Sequence, residues 1–179
     1  TMKGERIEQM REAPKVLSGG PQSTASARLA AFQGRERVIL IPFDDHVDDP
    51  ILVSFDGGDM RGPRARPAGA ADSLRPRGGT AVYSALTAAL ELAARERAEH
   101  PDRFVSVALL TDGESNKGLS FAAFRLRYGQ GAPARVFPIL FGEGNVDEMK
   151  QIAQMTGGRE FDGRSSRLAQ VFREIRGYQ

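Results

Sequence analysis

The sequence predicts a single α/β domain in which a mostly parallel sheet carries helices on both faces. Residues 104–110 are a largely apolar run, with Ser106 as its one polar residue, bounded by polar residues, and this pattern is typical of a strand buried on both faces. Helix-like and strand-like segments alternate through the second half of the chain, as they do around parallel sheets. The 179 residues are enough for one sizeable core, and they contain no internal repeat.

The first half of the chain is predicted to contain two short helices and a pair of strands. Residues 2–13 and the stretch 28–32 have apolar residues at helical spacing, and Pro14 ends the first helix. Residues 38–43 form the first clear strand, and residues 51–55 form the second. The acidic loop between them is too short for a helix, so we expect an antiparallel hairpin at a sheet edge.

The second half is predicted to alternate between helices and strands. The longest helix covers residues 81–97, with Thr80 at the N-cap position. Pro138 lies inside one predicted strand and removes a backbone donor, which weakens that prediction. The remaining elements are a strand at 104–110, a helix with Phe121, Phe124 and Tyr128 on one face, a strand at 136–141, a helix capped by Asn145 and ending at Gly157, a strand at 159–161, and a helix from Ser165 or Ser166 that buries Leu168, Val171, Phe172 and Ile175.

Charge and composition argue against several classes of function. The formal net charge of +2 is too small for the footprint of a nucleic-acid-binding protein, and the basic stretch 61–77 has no aromatic residue for base stacking. No apolar run reaches the roughly 20 residues of a membrane-spanning helix. The chain has no cysteine, which excludes thiol chemistry, and neither His46 nor His100 has a partner at zinc spacing.

Two polar residues are predicted to meet at the carboxyl edge of the sheet. Thr80 precedes the longest helix, and Asp112 lies in the polar turn 111–116 that follows the central strand. Ligands of open α/β sheets bind at this edge. Hydroxyl and carboxylate oxygens are hard ligands that suit Mg²⁺, Mn²⁺ or Ca²⁺. Each residue alone fits a helix cap or a turn, and only their joint occurrence, combined with the family resemblance that follows, indicates a cation site.

On these residues the chain resembles a von Willebrand factor type A domain. The segments GGTAVYSAL, with Thr80, and LLTDGESN, with Asp112, match two of the three parts of that family's metal-ion-dependent adhesion site. The segment FGEGNVDEMKQIAQMTGGREF resembles the family's closing strand, helix and strand. The resemblance covers nearly the whole chain and implies a Rossmann-like, doubly wound sheet with one antiparallel edge strand. The arginine-rich composition, with only four lysines, resembles that of bacterial members.

The third part of the adhesion site departs from the family pattern. The family's opening strand is followed by Asp-x-Ser-Gly-Ser-Met, whereas residues 1–4 (TMKG) match only the tail of that motif. Thr1 would stand in for its last serine. We therefore expect residues 1–179 to form one N-terminally incomplete domain, whose first strand is missing or supplied by another segment. With Thr1, Thr80 and Asp112 as the remaining ligands, we expect the site to hold metal weakly.

The resemblance implies a non-catalytic, divalent-metal-dependent protein-binding domain, used for adhesion or as a scaffold. Neutral hydroxyl ligands leave the cation strongly electrophilic, so that an Asp or Glu carboxylate of a partner replaces a bound water. Mg²⁺ is the expected cation, with Mn²⁺ and Ca²⁺ as alternatives. The expected partner-binding rim consists of Gly79, Glu114, Ser115 and Asn116. A protein partner is expected rather than nucleic acid, no membrane-spanning segment is expected in this chain, and the cell surface is favoured over the cytoplasm.

Other interpretations stay open. A Mg²⁺-dependent phosphoryl-transfer or phosphatase-like enzyme on a Rossmann-like sheet would also use Asp112, although the sequence offers no phosphate loop and no catalytic base. A structural module with a non-functional metal site is another interpretation. The acidic run Asp44, Asp45, Asp48 and Asp49 can be interpreted as a second cation site. A solvated loop fits that run better, because the spacing of an EF-hand is missing.

Overall fold

A computed structural model describes residues 37–53, 79–112, 114–142, 144–164 and 168–178 of the chain. The described elements, in chain order, are β1 (Val38–Leu40), β2 (Ile51–Val53), α1 (Val82–Glu99), β3 (Ser106–Thr111), α2 (Phe121–Tyr128), β4 (Arg135–Leu140), α3 (Val146–Thr156), β5 (Phe161–Asp162) and α4 (Leu168–Gly177). The predicted α/β class is confirmed. The helices predicted at 2–13 and 28–32 lie outside the described residues.

Strands β3, β4 and β5 form a parallel sheet in sequence order. Along the β3–β4 pair, Ser106 lies opposite Arg135 and Thr111 lies opposite Leu140. Pro138 is paired with Leu109 in the middle of β4, so the predicted strand forms despite its missing donor. Parallel neighbours need a crossover between them, and α2 and α3 provide the two crossovers here.

Strand β4 divides the core of the described region into two clusters. Val136 and Leu140 pack in a cluster with residues of α1, α2 and α3, whereas Phe137 and Ile139 pack in a second cluster with α4. This alternation follows from the period of a strand, in which successive side chains point to opposite faces. Helices therefore pack on both faces of the sheet at β4, as the sequence predicts.

The predicted hairpin forms, with Val38 opposite Val53 and Leu40 opposite Ile51. Strand β1 is shorter than the predicted 38–43, because the chain leaves the ladder after Leu40 and Phe43 makes only an isolated bridge. Among the described residues, β1 and β2 form a two-stranded sheet of their own. Phe43 packs against the first cluster, which contains residues of α1, and Asp44 accepts a hydrogen bond from Ala81, so the hairpin lies beside the start of that helix.

The prediction that the central strand is buried on both faces is wrong in part. In β3, Leu109 and Thr111 are buried, but Ala108 is exposed and Leu110 is only half-buried. The second cluster, which packs against α4, is built on β4 and β5, and Leu110 contacts only its edge. The face of β3 on the α4 side is therefore covered only in part. Phe104 precedes the strand and is 76 % exposed, so the predicted strand begins two residues too early.

The predicted cap of α1 is wrong, whereas Asn145 occupies the N-cap position of α3 as predicted. The N-cap of α1 is Ala81, whose backbone N–H donates to the carbonyl of Asp44 at 2.6 Å, and within the described region the Thr80 hydroxyl caps no helix. Asn145 is at the N-cap of α3 but makes no side-chain capping bond, because its backbone is left-handed (φ 45°). Gly157 ends α3 as predicted, in the left-handed conformation that favours glycine (φ 74°).

The apolar faces predicted for α2 and α4 are confirmed where the structure describes them. Phe124 and Tyr128 of α2 are buried, and their ring centroids lie 5.1 Å apart. Val171 and Ile175 of α4 are buried in the second cluster. The predicted start of this helix at 165–166 lies outside the described residues.

Candidate metal site

Asp112 follows β3 directly and is buried, with only 7 % of its surface exposed. Such burial is uncommon for an acidic residue. It results from the close approach of the chain after β4, where the Phe141 N–H donates to the Thr111 carbonyl at 2.9 Å. A Cβ atom at Gly142 would lie 2.6 Å from the Asp112 carbonyl oxygen. The ends of the two parallel strands therefore enclose Asp112 at the carboxyl edge of the sheet.

The close approach at Gly142 leads to a testable prediction. We expect Gly142→Ala to lower the free energy of unfolding by about 1–3 kcal/mol, because the added methyl group overlaps the Asp112 backbone. Urea denaturation monitored by circular dichroism measures this change. The matched control is Gly177→Ala in α4, where an added Cβ meets no atom within 4 Å. Equal stability of the Gly142→Ala variant and the wild type would contradict the packing described here.

Thr80 is held by the loop that follows Asp112. Its backbone N–H donates to Asn116 Oδ1 at 2.9 Å. Its carbonyl oxygen accepts the backbone N–H groups of Asn116 and Lys117, at 3.0 and 3.2 Å, and the Ser115 hydroxyl at 3.4 Å. Ser115 is three residues from Asp112, so their Cα atoms are at most about 11 Å apart. The structure therefore brings the Thr80 and Asp112 segments together at one end of the sheet.

Gly79 lies where three segments meet. A Cβ atom at this position would lie 2.7 Å from Lys117 Cγ and 2.9 Å from Asp45 Cβ. Asp45 belongs to the loop between β1 and β2, and the neighbouring Asp44 carbonyl accepts the Ala81 N–H. The hairpin loop is therefore part of the surroundings of the site. Sequence reasoning missed this, because no local pattern connects the hairpin with the start of α1.

The structure locates the other predicted site residues as follows. Ser115 and Asn116 direct polar groups at the Thr80 backbone, so they support the site from its own loop. Glu114 is exposed and lies against Gly144, where an added Cβ would be 2.6 Å from Glu114 Cγ. Thr1, the third predicted ligand, lies outside the described residues. The Gly-x-Gly sequence at 142–144 was the available signal for the close packing around Asp112.

A partly buried hydrogen bond joins the first turns of α1 and α3. The Tyr83 hydroxyl donates to the Glu148 carboxylate. Burial, followed by this bond to Glu148, raises the pKa of Tyr83 above its ordinary value. The phenol therefore stays protonated and remains the donor of the bond at neutral pH.

Carboxylates of the acidic loop between β1 and β2 lie on both sides of the exposed His46 imidazole. Nδ1 lies 2.7 Å from Asp45 Oδ1 and 3.0 Å from Asp44 Oδ1, and Nε2 lies 3.0 Å from Asp48 Oδ1. The bond to Asp45, followed by the charge of Asp44, raises the pKa of His46. Ligand-type atoms of Asp44, Asp45 and His46 lie within 4.8 Å of one another, a spacing that can hold a metal ion. Because the imidazole contacts the carboxylates directly, we assign this loop to internal ion pairing.

Comparisons with known proteins add no family assignment. The sequence matches no protein-family model and no curated protein. None of the helices in the described ranges combines the length and apolar character needed to cross a bilayer. The resemblance to the von Willebrand factor type A family therefore rests on the motifs around Thr80 and Asp112 and stays a prediction.

Proposed function

We propose that this domain binds a divalent cation at the carboxyl edge of its sheet and uses it to hold a carboxylate of a protein partner. The observation that supports this proposal is the placement of Thr80 beside the loop that begins at Asp112. The loop holds the backbone of Thr80, a residue with a hydroxyl group, through hydrogen bonds. The same loop begins at Asp112, a buried acidic residue. Thr80 and Asp112 are the proposed ligands in the described region, and Thr1 is a third proposed ligand outside it.

The chemistry of these groups fits a binding site for Mg²⁺, Mn²⁺ or Ca²⁺. Burial strengthens the attraction between Asp112 and a cation, because less water screens the charge. A single carboxylate with neutral hydroxyl ligands leaves a divalent ion with net positive charge and with bound waters. A partner's Asp or Glu side chain would replace one of these waters, next to the rim formed by Gly79 and Glu114. This is an adhesion or scaffold function without turnover.

Titration of Mn²⁺ into the ¹⁵N-labelled protein locates the cation. The paramagnetic ion broadens the amide signals nearest to it, and we expect the amides of Thr80, Asp112 and Asn116 to broaden first. The amide of Ser106, at the opposite end of β3, should stay sharp. Broadening centred on the hairpin loop around Asp48 instead would contradict the proposed ligands.

Water proton relaxation then tests the binding of a carboxylate. Mn²⁺ with an exchangeable water relaxes bulk water protons, so replacement of that water lowers the relaxation rate. We expect a short peptide with one aspartate to lower the rate, and the matched asparagine peptide to leave it unchanged. No difference between the two peptides would contradict the partner-binding role. Hydrolysis of p-nitrophenyl phosphate that depends on Asp112 would instead favour the phosphoryl-transfer interpretation.

A further inference from the structure

The contacts of His46 favour the doubly protonated form of its ring. Nδ1 faces Asp44 and Asp45, and Nε2 faces Asp48 on the opposite side. A neutral imidazole has one N–H donor and one acceptor nitrogen, whereas a carboxylate can only accept. A neutral ring would therefore place an acceptor nitrogen against a carboxylate oxygen. Only the doubly protonated ring satisfies both sides.

The same loop contacts the start of α1. The carbonyl of Asp44 accepts the Ala81 N–H at 2.6 Å, and the side chain of Asp45 packs against Gly79. Within the loop, the Asp44 N–H donates to the His46 carbonyl at 2.9 Å. Asp44, Asp45 and Asp48 are thus held by contacts to His46. The first two also contact the segment before α1.

We propose that protonation of His46 is a switch that closes the loop between β1 and β2 against the start of α1. With the proton bound, the imidazolium joins three carboxylates across the loop. When the proton is lost, the carboxylates of Asp44, Asp45 and Asp48 lose the cation between them and repel one another. The loop then releases its contacts with Gly79 and Ala81.

The charges around the ring determine the direction of this switch. Asp44, Asp45 and Asp48 face the imidazole from its own loop, and Asp49 follows them. The facing segment before α1 contributes no titratable group in its described residues 79–81, and the loop after β3 contributes Lys117, which reaches Gly79.

The closed form is therefore favoured at low pH. The pKa of His46 is raised by its carboxylate partners, Asp45 first. The contribution of the ion pairs is complete below the ordinary histidine value of 6.5 and is lost as the pH rises through the higher folded-state pKa. Because the loop is exposed, we expect the loss of these ion pairs to change only the local conformation of the loop.

An NMR titration of the full chain between about pH 5 and about pH 9, in the presence of EDTA, tests the switch. We expect the His46 ring signals to titrate with a midpoint above 6.5. The amide of Ala81 should shift with the same midpoint. His46→Gln should remove both transitions, which also distinguishes the His46 signals from those of His100, the other histidine.

Two matched variants test the geometry. Asp48→Asn removes the partner of Nε2 and should lower the midpoint of His46, whereas Asp49→Asn makes the same charge change in the same loop without removing one of these contacts. An equal fall in both variants would overturn the specific ion pairing. A midpoint at or below 6.5, or an Ala81 amide that does not follow it, would overturn the switch.

The remaining outcomes separate the switch from a metal site and from the proposed function. If addition of EDTA itself shifts the Ala81 and Asp48 amides, a bound cation closes the loop and the proposal is overturned. Asp112→Ala should leave the His46 titration unchanged, because the switch does not depend on the proposed cation site. Loss of the titration in that variant would overturn the independence of the two features.

Discussion

Replacement of Asp112 by alanine is expected to weaken Mn²⁺ binding by at least about 100-fold. Loss of a hydrogen-bond partner behind a metal ligand already lowers affinity by about 10–100-fold, so loss of the anionic ligand itself should cost at least as much. Electron paramagnetic resonance of free Mn²⁺ measures this affinity directly. Asp112→Asn keeps the shape of the buried side chain and should weaken binding in the same direction.

Asp102 supplies the matched control for this prediction. It precedes β3 as Asp112 follows it, and it is exposed at the opposite end of the strand. Asp102→Ala removes the same charge from the protein and should leave Mn²⁺ affinity unchanged. Equal losses in both variants would indicate general electrostatics, and full affinity in Asp112→Ala would contradict the assignment of Asp112 as a ligand. Circular dichroism of each variant confirms that the fold is intact before the affinities are compared.

Replacement of Phe124 by alanine is expected to lower the free energy of unfolding by about 3–5 kcal/mol. The side chain is 1 % exposed, and its ring centroid lies 5.1 Å from that of Tyr128 and 6.1 Å from that of Tyr83. Truncation leaves a cavity where α1, α2 and α3 meet β4. The loss is a large part of the roughly 5–15 kcal/mol that stabilises a typical domain. Urea denaturation at neutral pH measures it.

Leu126→Ala is the control in the same helix. Leu126 lies two residues further along α2 and is 90 % exposed, so its truncation removes little buried area. We expect a change within about 0.5 kcal/mol. Comparable losses in the two variants would mean that the buried face of α2 has been assigned wrongly.

The sequence predicted those elements whose pattern is local. The alternation of helices and strands, the short hairpin connection and the buried positions Phe124 and Tyr128 all follow from spacing within a few residues. Gly157 was also predictable, because a left-handed residue at a helix end favours glycine. In each case the information lies inside the element that it describes.

The errors arise where a distant segment determines the outcome. Thr80 is of a residue type that commonly caps helices, but the N-cap of α1 is Ala81. The backbone N–H of Ala81 donates to the carbonyl of Asp44 in the hairpin loop. Ala108 is exposed although it lies in an apolar run, because the second cluster, which packs against α4, forms over β4 and β5 and leaves this side of β3 uncovered. Neither contact leaves a pattern in the local sequence.

The candidate site shows the same division. Thr80 and Asp112 were found through motifs that the sequence contains. The role of Asn116 as an acceptor for the Thr80 N–H, at 2.9 Å, depends on how the loop turns back toward α1. The need for glycine at 142 depends on the approach of two strand ends. These are tertiary relations, and they became visible only in three dimensions.

The double burial of β4 has a consequence for how the described region unfolds. Val136 and Phe137 are neighbours in the chain, yet they belong to clusters on opposite faces of the sheet. Melting of one cluster would uncover one face of β4 and loosen the strand against which the other cluster packs, so we expect the two clusters to be lost together. Heat and denaturant should therefore disrupt both layers in one cooperative step.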